Sequence, residues 1–391
     1  MSAFLNCYFK SVENIVLNIE AIGYDYTYYF CSLLGIRKKM LVKTIKVLTP
    51  VIMTGYALCC IILFLGKYIY SLFTCKSQVN ENRYDNIFLL FTYLLSSRIR
   101  CSDIDYKNGV WIIGPNLSVN DLPDENIKYI DIRSMYRRHN YRYIIIDALC
   151  GCIKVIFGKK TLTPLHKLFE YLEVGYCLNE LPPSAKIFFS NQSDRWALLF
   201  DSLNVNTRVL IQHGVDIAYP NTFNRLKNVD VFYSINKSSY LSSFKFLLDC
   251  SPKLLFLKPT IQLTTFEKSE FKILLVTGPL FFNVERSIIE RIVPDSSLYL
   301  FVKKHPLIKD ISLYVDLQNK FKFEFITESI FPKVDCVISY ESTLAYEYQG
   351  FDIPVIFVSE NNFDIEKTLK QVYDIKKQNV TFSDDSHPVA E

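Results

Sequence analysis

The chain has 391 residues, of which half are hydrophobic and 21% are charged, and its formal net charge is +4. This composition excludes an intrinsically disordered protein, and the length exceeds one ordinary core, so we expect two domains with an appendage. The small charge, without a basic run interleaved with aromatic residues, gives no support for a nucleic-acid partner. Eleven cysteines without a CxxC pair argue against zinc and against a secreted disulfide framework, and they indicate a cytosolic compartment.

The N-terminal part of the chain is predicted to be helical and apolar. Residues 1–46 contain a basic cluster formed by Arg37, Lys38, Lys39, Lys43 and Lys46. The segment Val47–Gly66 that follows has no charge over about the 20 residues that a membrane span needs. Pro50, Thr54 and Gly55 make it an imperfect span. We therefore expect a helix that lies on or dips into the inner face of a membrane, with a buried core helix as the alternative.

Asp85–Ser97 is a second candidate for an apolar helix. From Gly109 onward, short apolar strands alternate with helices, a pattern that favours an α/β domain with a mainly parallel sheet. The first predicted strand lies in GVWIIGPN (109–116), and the next are Ile127–Ile132, Tyr143–Asp147, Ala185–Ser190, Thr207–Gln212, Val229–Ile235 and Lys253–Leu257. The predicted helices are Thr163–Cys177, with Thr163 as N-cap, and Asp194–Asp201.

A second alternation begins after a predicted linker, Leu257–Ser269. Its predicted strands are Phe271–Thr277, Leu298–Val302, Phe321–Ile326, Val334–Ile338 and Pro354–Val358, and its predicted helices are Val284–Ile292, Ile311–Asn319, Ser342–Gly350 and Phe363–Lys376. We expect an N-terminal helical region over 1–105, a Rossmann-like domain over 106–260, a second over 270–377 and a polar tail over 378–391.

In an open parallel sheet, ligands bind beyond the carboxyl ends of the strands. In the second domain these positions carry Gly278, Lys304, His305, Pro306, Ser339, Ser342, Thr343 and, further along a helix, Glu347. The helix that begins near Ser342 offers unpaired N–H groups and a positive dipole end, which favour a phosphate. The alternatives are an N-cap role for Ser342 and solvated lysines. Alternation along the strand predicts that Lys303 is a surface charge, and Glu347 contacts either a ribose or solvent.

In the first domain, Gln212, His213 and Gly214 follow the predicted strand TRVLI. A histidine at this position either acts as general base on an acceptor hydroxyl or only bonds its own loop. Asp194 is the alternative base, or it pairs with Arg195 or caps a helix. Asn116 also follows a strand and is expected to line the same site, and Asp216 and Tyr219 are weaker candidates.

The chain has no GxGxxG, P-loop, HExxH or GxSxG motif, and no DxD pair flanked by strands. We therefore expect no cofactor and no metal, with dipoles and cations stabilising a leaving phosphate.

Two predicted Rossmann-like domains, the His305-Pro306 pair after a strand and the later Ser339-x-x-Ser342-Thr343 motif resemble the GT-B transferases of bacterial surface polysaccharides that use cytidine-linked donors. These include sialyltransferases, Kdo transferases and CDP-glycerol glycerophosphotransferases. Gln212-His213-Gly214 resembles the His-Gly motif of the glycerophosphotransferases, in which the histidine is the proposed base. The acidic-acidic-Gly motif of the sialyltransferases is not evident. The resemblance spans roughly residues 109–376.

The resemblance implies that His305, Ser342 and Thr343 hold the nucleotide phosphate. It implies a cytoplasmic glycosyltransferase, peripheral to the inner membrane, that moves a sugar from a CMP-sugar to a capsular or lipopolysaccharide glycan. The alternatives are a CDP-glycerol-type polyol phosphate transferase, a transferase of the same fold with a UDP- or GDP-sugar donor, and a non-catalytic membrane-associated assembly protein. The expected partners are a nucleotide-sugar donor, a glycan or lipid-linked acceptor and the membrane surface.

Overall fold

The computed structural model describes residues 2–21, 39–74, 85–100, 102–158, 163–192, 194–214, 224–241, 245–278, 281–305, 308, 310–326, 329–340 and 342–384. The helices are Ala3–Ala21 (α1), Lys39–Thr74 (α2), Leu94–Ile99 (α3), Tyr141–Phe157 (α4), Leu168–Leu178 (α5), Arg195–Ser202 (α6), Lys237–Ser239 (α7), Lys245–Leu247 (α8), Phe282–Ile292 (α9), Ser312–Lys320 (α10), Thr343–Gln349 (α11) and Ile365–Asp384 (α12).

The strands are Asn86–Leu90 (β1), Val110–Ile113 (β2), Tyr129–Asp131 (β3), Lys186–Phe189 (β4), Thr207–Ile211 (β5), Val231–Ser234 (β6), Lys253–Phe256 (β7), Leu263–Thr264 (β8), Phe271–Val276 (β9), Leu298–Lys303 (β10), Glu324–Ile326 (β11), Phe331–Pro332 (β12), Cys336–Ser339 (β13) and Val355–Phe357 (β14). The chain divides into two compact units: unit 1 is Met1–Ser234 with Leu241–Leu255, and unit 2 is Ile235–Tyr240 with Phe256–Glu391.

Unit 1 is built on a seven-stranded sheet in the order β3-β2-β1-β4-β5-β6-β7. β1 pairs in parallel with β2 on one side and with β4 on the other, so the chain reverses its direction across the sheet between β1 and β4. This is the order of a Rossmann fold. Phe88 of β1 stacks on Trp111 of β2 and on Phe188 of β4, with ring centroids 4.8 and 4.5 Å apart. These rings tie the three central strands together.

Unit 2 repeats the arrangement with a five-stranded sheet in the order β11-β10-β9-β13-β14. β9 pairs in parallel with β10 and with β13, and the direction reverses between β9 and β13. Its core combines apolar strand residues with the inner faces of the helices, among them Ile288 and Val372. The predicted fold class, α/β with two Rossmann-like domains and an apolar helical N-terminal part, is confirmed.

Two predicted elements are wrong. Asp85–Ser97 is not one helix, because its first half forms the central strand β1 and only Leu94–Ile99 is helical. A strand buried on both faces is a continuous apolar run, which periodicity alone cannot distinguish from a helix. Tyr143–Asp147 is not a strand but part of α4. Its β-branched run is typical of a strand, but Asp147 is buried and accepts hydrogen bonds from Ser2 N and the Tyr176 hydroxyl in the helical conformation.

The ends of the chain also differ from prediction. The region 1–105 contains a sheet strand as well as helices, and α12 continues to Asp384, so the polar tail predicted from residue 378 is partly helical. Arg37 and Lys38 lie outside the described residues. Within α2, Thr49–Thr74 is long and apolar enough to cross a membrane, and an 18-residue window of it has a mean hydropathy of 2.0. Only 28% of that window is buried, so the alternative of a buried core helix is wrong.

Candidate functional site

The carboxyl ends of β9, β10 and β13 lie side by side in the sheet of unit 2, because β9 is the neighbour of both other strands. Gly278 follows β9 closely, His305 follows β10, and β13 ends at Ser339. The sequence therefore placed these residues at one edge of one sheet, beside the position where strand order reverses. This is where open α/β sheets bind ligands.

The Thr277 side chain joins the ends of β9 and β10. Its hydroxyl donates to the carbonyl of Lys303 at 3.0 Å and accepts from the backbone N–H of His305 at 2.9 Å. Burial lowers the pKa of His305 below its ordinary value, because a charged imidazolium loses solvation there. The backbone of His305 is thus fixed and its ring favours the neutral form. Pro306 lies outside the described residues.

The two lysines are placed differently from the prediction. Lys303 is buried, and its ammonium lies 4.9 Å from the centre of the Phe331 ring. The prediction that Lys303 is a solvated surface charge is wrong, because the aromatic ring and the aliphatic stem allow a lysine to be buried at the end of an interior strand. Lys304 is half-buried, and its N–H donates to the Ile326 carbonyl at 3.0 Å.

The end of β13 carries a pair of hydroxyls. Ser339 is buried, and its Oγ lies 3.0 Å from Oγ of Ser342. Ser342 is the N-cap of α11, where its Oγ accepts from Ala345 N at 3.2 Å. Thr343 is the first residue of that helix and is half-buried. The structure therefore shows the N-cap role of Ser342, and the hydroxyls of Ser339, Ser342 and Thr343 lie close together in the sequence where β13 leads into α11.

Gly278 is held by a residue that the sequence analysis missed. The Gly278 N–H donates to Oε1 of Glu285 at 2.7 Å, and the Tyr314 hydroxyl donates to Oε2 of the same carboxyl group. Glu285 is fully buried, and burial raises its pKa. A Cβ on Gly278 would lie 2.8 Å from the ring of Phe281. Only glycine therefore fits between this ring and the end of β9 without a shift of the ring.

Three aromatic rings lie beside this glycine. Phe281 stacks on Tyr340 with centroids 4.3 Å apart and on Phe363 at 5.4 Å. Tyr340 is buried, and within the described residues its hydroxyl has no hydrogen-bond partner. Phe363 has a φ of 60°, which is uncommon for a bulky residue. The cluster was not predicted, because its members come from three separate loops and follow no periodic pattern.

Glu347 faces the protein interior. It is buried, and its two carboxylate oxygens accept from the backbone N–H of Thr260 at 2.6 Å and from the Thr260 hydroxyl at 3.1 Å. The alternative of an exposed helix charge is therefore wrong. A ribose contact by Glu347 stays a prediction, and such a contact would compete with Thr260 for the same oxygens.

In unit 1, His213 follows β5 and its ring is oriented by the end of β4. Nδ1 lies 2.5 Å from the carbonyl oxygen of Ser190. A carbonyl only accepts hydrogen bonds, so Nδ1 carries the proton and Nε2 is the acceptor nitrogen of the neutral ring. The Gln192 amide nitrogen lies 3.4 Å from that Nε2. This is the tautomer that a general base acting through Nε2 requires.

The backbone around His213 is fixed from two sides. Arg98 is buried, and its Nε and Nη2 donate to the His213 carbonyl at 3.3 and 3.1 Å. Gln212 is buried, donates to the Gly214 carbonyl at 3.1 Å and accepts from the Ser234 hydroxyl at 2.8 Å. Sequence reasoning missed Arg98, which lies 115 residues from His213 and has no local signal.

Asp194 is the N-cap of α6. One oxygen accepts from Trp196 N and Ala197 N at 3.0 and 3.1 Å, and the other accepts from the Asn191 amide at 2.6 Å. This capping role was one of the predicted alternatives. The alternative pairing with Arg195 is wrong, because Arg195 bonds Glu170 at 2.7 Å. These bonds favour His213 over Asp194 as a base.

Of the remaining first-domain candidates, the structure describes only Asn116. Asn116 follows β2 and is exposed. Asp216 and Tyr219 lie outside the described residues. A small open recess of about 10 Å³ is lined in unit 1 by Gln192, Asp194 and six other residues. Among the described residues, no group of three or more His, Cys, Asp or Glu side chains is arranged to hold a metal ion.

Comparison with known proteins gives little. No family model matches the chain, and no curated protein matches it. Among solved structures, the wall teichoic acid polymerase TagF, determined with CDPG, is similar over 79% of this chain and 78% of its own, with 12% sequence identity and a TM-score of 0.37. A likeness at this TM-score establishes neither a shared fold nor a shared activity, so the fold assignment rests on the two parallel sheets.

Proposed function

We propose that the chain is a GT-B-type glycosyltransferase that moves a sugar from a CMP-sugar to a capsular or lipopolysaccharide glycan at the cytoplasmic face of a bacterial membrane. The observation that carries the proposal is the convergence of strand ends in unit 2. Gly278, His305 and the Ser339–Ser342 hydroxyl pair lie at one edge of the sheet, beside the reversal of strand order. This is the ordinary position of a nucleotide in such a sheet.

In this proposal the residues of unit 2 bind the donor. His305 donates a hydrogen bond to a phosphate oxygen, Lys304 supplies positive charge, and Ser342 and Thr343 offer hydroxyls. Glu285 positions the Gly278 N–H. We infer that Phe363 offers its exposed ring to the base of the nucleotide, since aromatic faces stack on bases. The reaction needs no metal in this account, because protein donors stabilise the leaving phosphate.

The residues of unit 1 would act on the acceptor. His213 has the proton on Nδ1 held by the Ser190 carbonyl, so its Nε2 would take the proton from the acceptor hydroxyl as the glycosidic bond forms. Gln212, Gly214 and Arg98 fix this loop. Asn116 and Arg195 remain candidates for acceptor contacts, and Asp194 remains the second candidate for the base.

Thermal-shift measurements with CMP, CDP, UDP and GDP test the donor assignment, because a ligand that binds only the folded state raises the melting temperature. We expect CMP and CDP to raise it and His305→Ala to reduce that rise. His139→Ala is the matched control, since His139 is an exposed histidine of unit 1 that pairs with Glu180. An H305A protein with an undiminished rise would refute the assignment. A larger response to CDP, UDP or GDP than to CMP would select an alternative donor, and no response to any nucleotide would favour a non-catalytic assembly protein. The same series with EDTA tests metal independence.

A further inference from the structure

The outer surface of unit 1 carries an apolar face made by two adjacent helices. α2 packs along α4, and the two run in opposite directions, since Arg138, three residues before α4, bonds the Leu72 carbonyl near the end of α2. The buried apolar residues of α2 form one narrow stripe at Met53, Ala57, Cys60 and Phe64. Most of the other side chains between Val51 and Thr74 are exposed or half-buried.

Between Val51 and Thr74, the outward surface of α2 is mostly apolar. Val51, Leu58, Ile62, Leu63, Ile69 and Phe73 are all exposed, with Ile62 at 70% and Phe73 at 82%. α4 adds a stripe of its own along its whole length, at Tyr143, Ile146, Ile153 and Phe157. These residues recur at intervals of three, seven and four, so they share one side of the helix. A water-facing helix would not place its large apolar residues in this way.

The charges at this face have one sign. α2 contains no aspartate or glutamate, and each of its charged residues is a lysine. The only acidic residue of α4 is Asp147, which is buried and bonded by Ser2 and Tyr176. Lys67, Arg142 and Lys154 are exposed beside the apolar stripes. A face that is apolar in the middle and basic at its margin complements an anionic lipid surface.

We propose that α2 and α4 together form a monotopic membrane-binding face, in which both helices lie in the plane of an anionic bilayer surface and neither crosses it. This inference rests on the proposed function and specifies which surface of the chain makes its membrane contact. The packing decides the orientation. α2 packs against α4 and its Leu72 carbonyl accepts a bond from Arg138, and α4 is itself part of the helical layer of unit 1. To cross a bilayer, α2 would have to abandon the buried stripe that ends at Phe64, whose ring stacks on Phe169.

Flotation of the full chain with preformed vesicles tests the face. We expect the protein to float with phosphatidylcholine vesicles that contain phosphatidylglycerol, and less with phosphatidylcholine alone. The double variant Ile146→Glu/Ile153→Glu changes only exposed residues and is expected to weaken binding by about tenfold or more. Leu313→Glu/Val315→Glu, on exposed positions of unit 2, is the matched control and is expected to bind as the wild type does. Arg142→Gln/Lys154→Gln should reduce only the preference for the anionic lipid.

Three results would overturn the assignment of this face to a membrane. The first is a wild-type chain that does not float with the vesicles. The second is an Ile146→Glu/Ile153→Glu protein that floats as the wild type does. The third is a dimer in sedimentation velocity that the same double variant dissociates, which would assign the face to a second copy of the chain. Transfer of bound protein to a second vesicle population is expected of an in-plane face, and its absence would overturn that orientation. Thermal shifts with CMP and CDP, unchanged in the double variant, keep this test separate from the donor assignment.

Discussion

Glu285 gives the sharpest test of how unit 2 is held together. Its carboxyl group accepts from the Gly278 N–H at 2.7 Å and from the Tyr314 hydroxyl, and all of this is buried. Glu285→Ala leaves two buried donors without a partner. Each orphaned group costs about 1–3 kcal/mol, so we expect unit 2 to lose about 2–6 kcal/mol of stability. Glu285→Gln keeps an acceptor for Gly278 and is expected to cost about 1 kcal/mol or less.

The destabilisation caused by Glu285→Ala depends on pH. Burial raises the pKa of Glu285, so the folded state binds a proton more tightly than the unfolded state does. The stabilising contribution of this group is complete below its unfolded pKa, and it is lost as the pH rises through the folded pKa. Glu285→Ala should therefore destabilise unit 2 more at pH 4 than at pH 8. Glu285→Gln removes the titrating group and should flatten this part of the pH dependence.

The assay must report on unit 2 alone. Both tryptophans, Trp111 and Trp196, lie in unit 1, so tryptophan fluorescence does not serve. Hydrogen exchange of the amides in β9 and β10 reports on unit 2, and the amides in the strands of unit 1 serve as internal reference. A loss of about 2 kcal/mol corresponds to roughly 30-fold faster exchange. Glu290→Ala is the control on the same helix, because Glu290 makes only a surface ion pair with Arg286. Exchange in Glu285→Ala within about threefold of the Glu290→Ala control would refute the reasoning.

Two further predictions concern unit 1, where tryptophan fluorescence during urea unfolding is the measurement. Phe64→Ala removes a buried ring that stacks on Phe169 and should lower the free energy of unfolding by about 3–5 kcal/mol. Phe73→Ala, on the same helix but exposed, is the control and should change it by about 0.5 kcal/mol or less in the absence of lipid. Asp201→Ala should lower the free energy of unfolding by about 2–5 kcal/mol, because the carboxylate accepts hydrogen bonds from the backbone N–H groups of Lys227 and Asn228. An unchanged urea midpoint would show that these donors bond water instead.

The sequence predicts most strands because their burial leaves a continuous apolar run between polar ends. β9, β10 and β13 are of this kind, and the residues that follow them were placed correctly at the sheet edge. The same property caused the error at β1, since its four consecutive apolar residues fit a helix equally well. The α4 error has the opposite cause, because a β-branched run is typical of a strand, and tertiary packing makes this one helical.

Partners of the site residues were harder to predict. Glu285 bonds Gly278 across a loop and a helical turn, Thr260 lies 87 residues from Glu347, and Arg98 lies 115 residues from His213. None of these pairs has a periodic or motif signal in the sequence, because each depends on how distant elements pack. The strand ends could thus be predicted from local pattern, and the side chains that hold them in place required the fold.

The two strand-end histidines looked equivalent in the sequence, and their surroundings separate them. In His213 a backbone carbonyl holds the proton on Nδ1 and leaves Nε2 as the acceptor, which suits the uptake of a proton. In His305 the backbone is fixed through Thr277, and burial lowers the pKa of the ring. A neutral His305 can donate a hydrogen bond to a phosphate but contributes no charge. If unit 2 binds a nucleotide phosphate, we expect Lys304 to supply positive charge there, since the ammonium of Lys303 lies against the Phe331 ring.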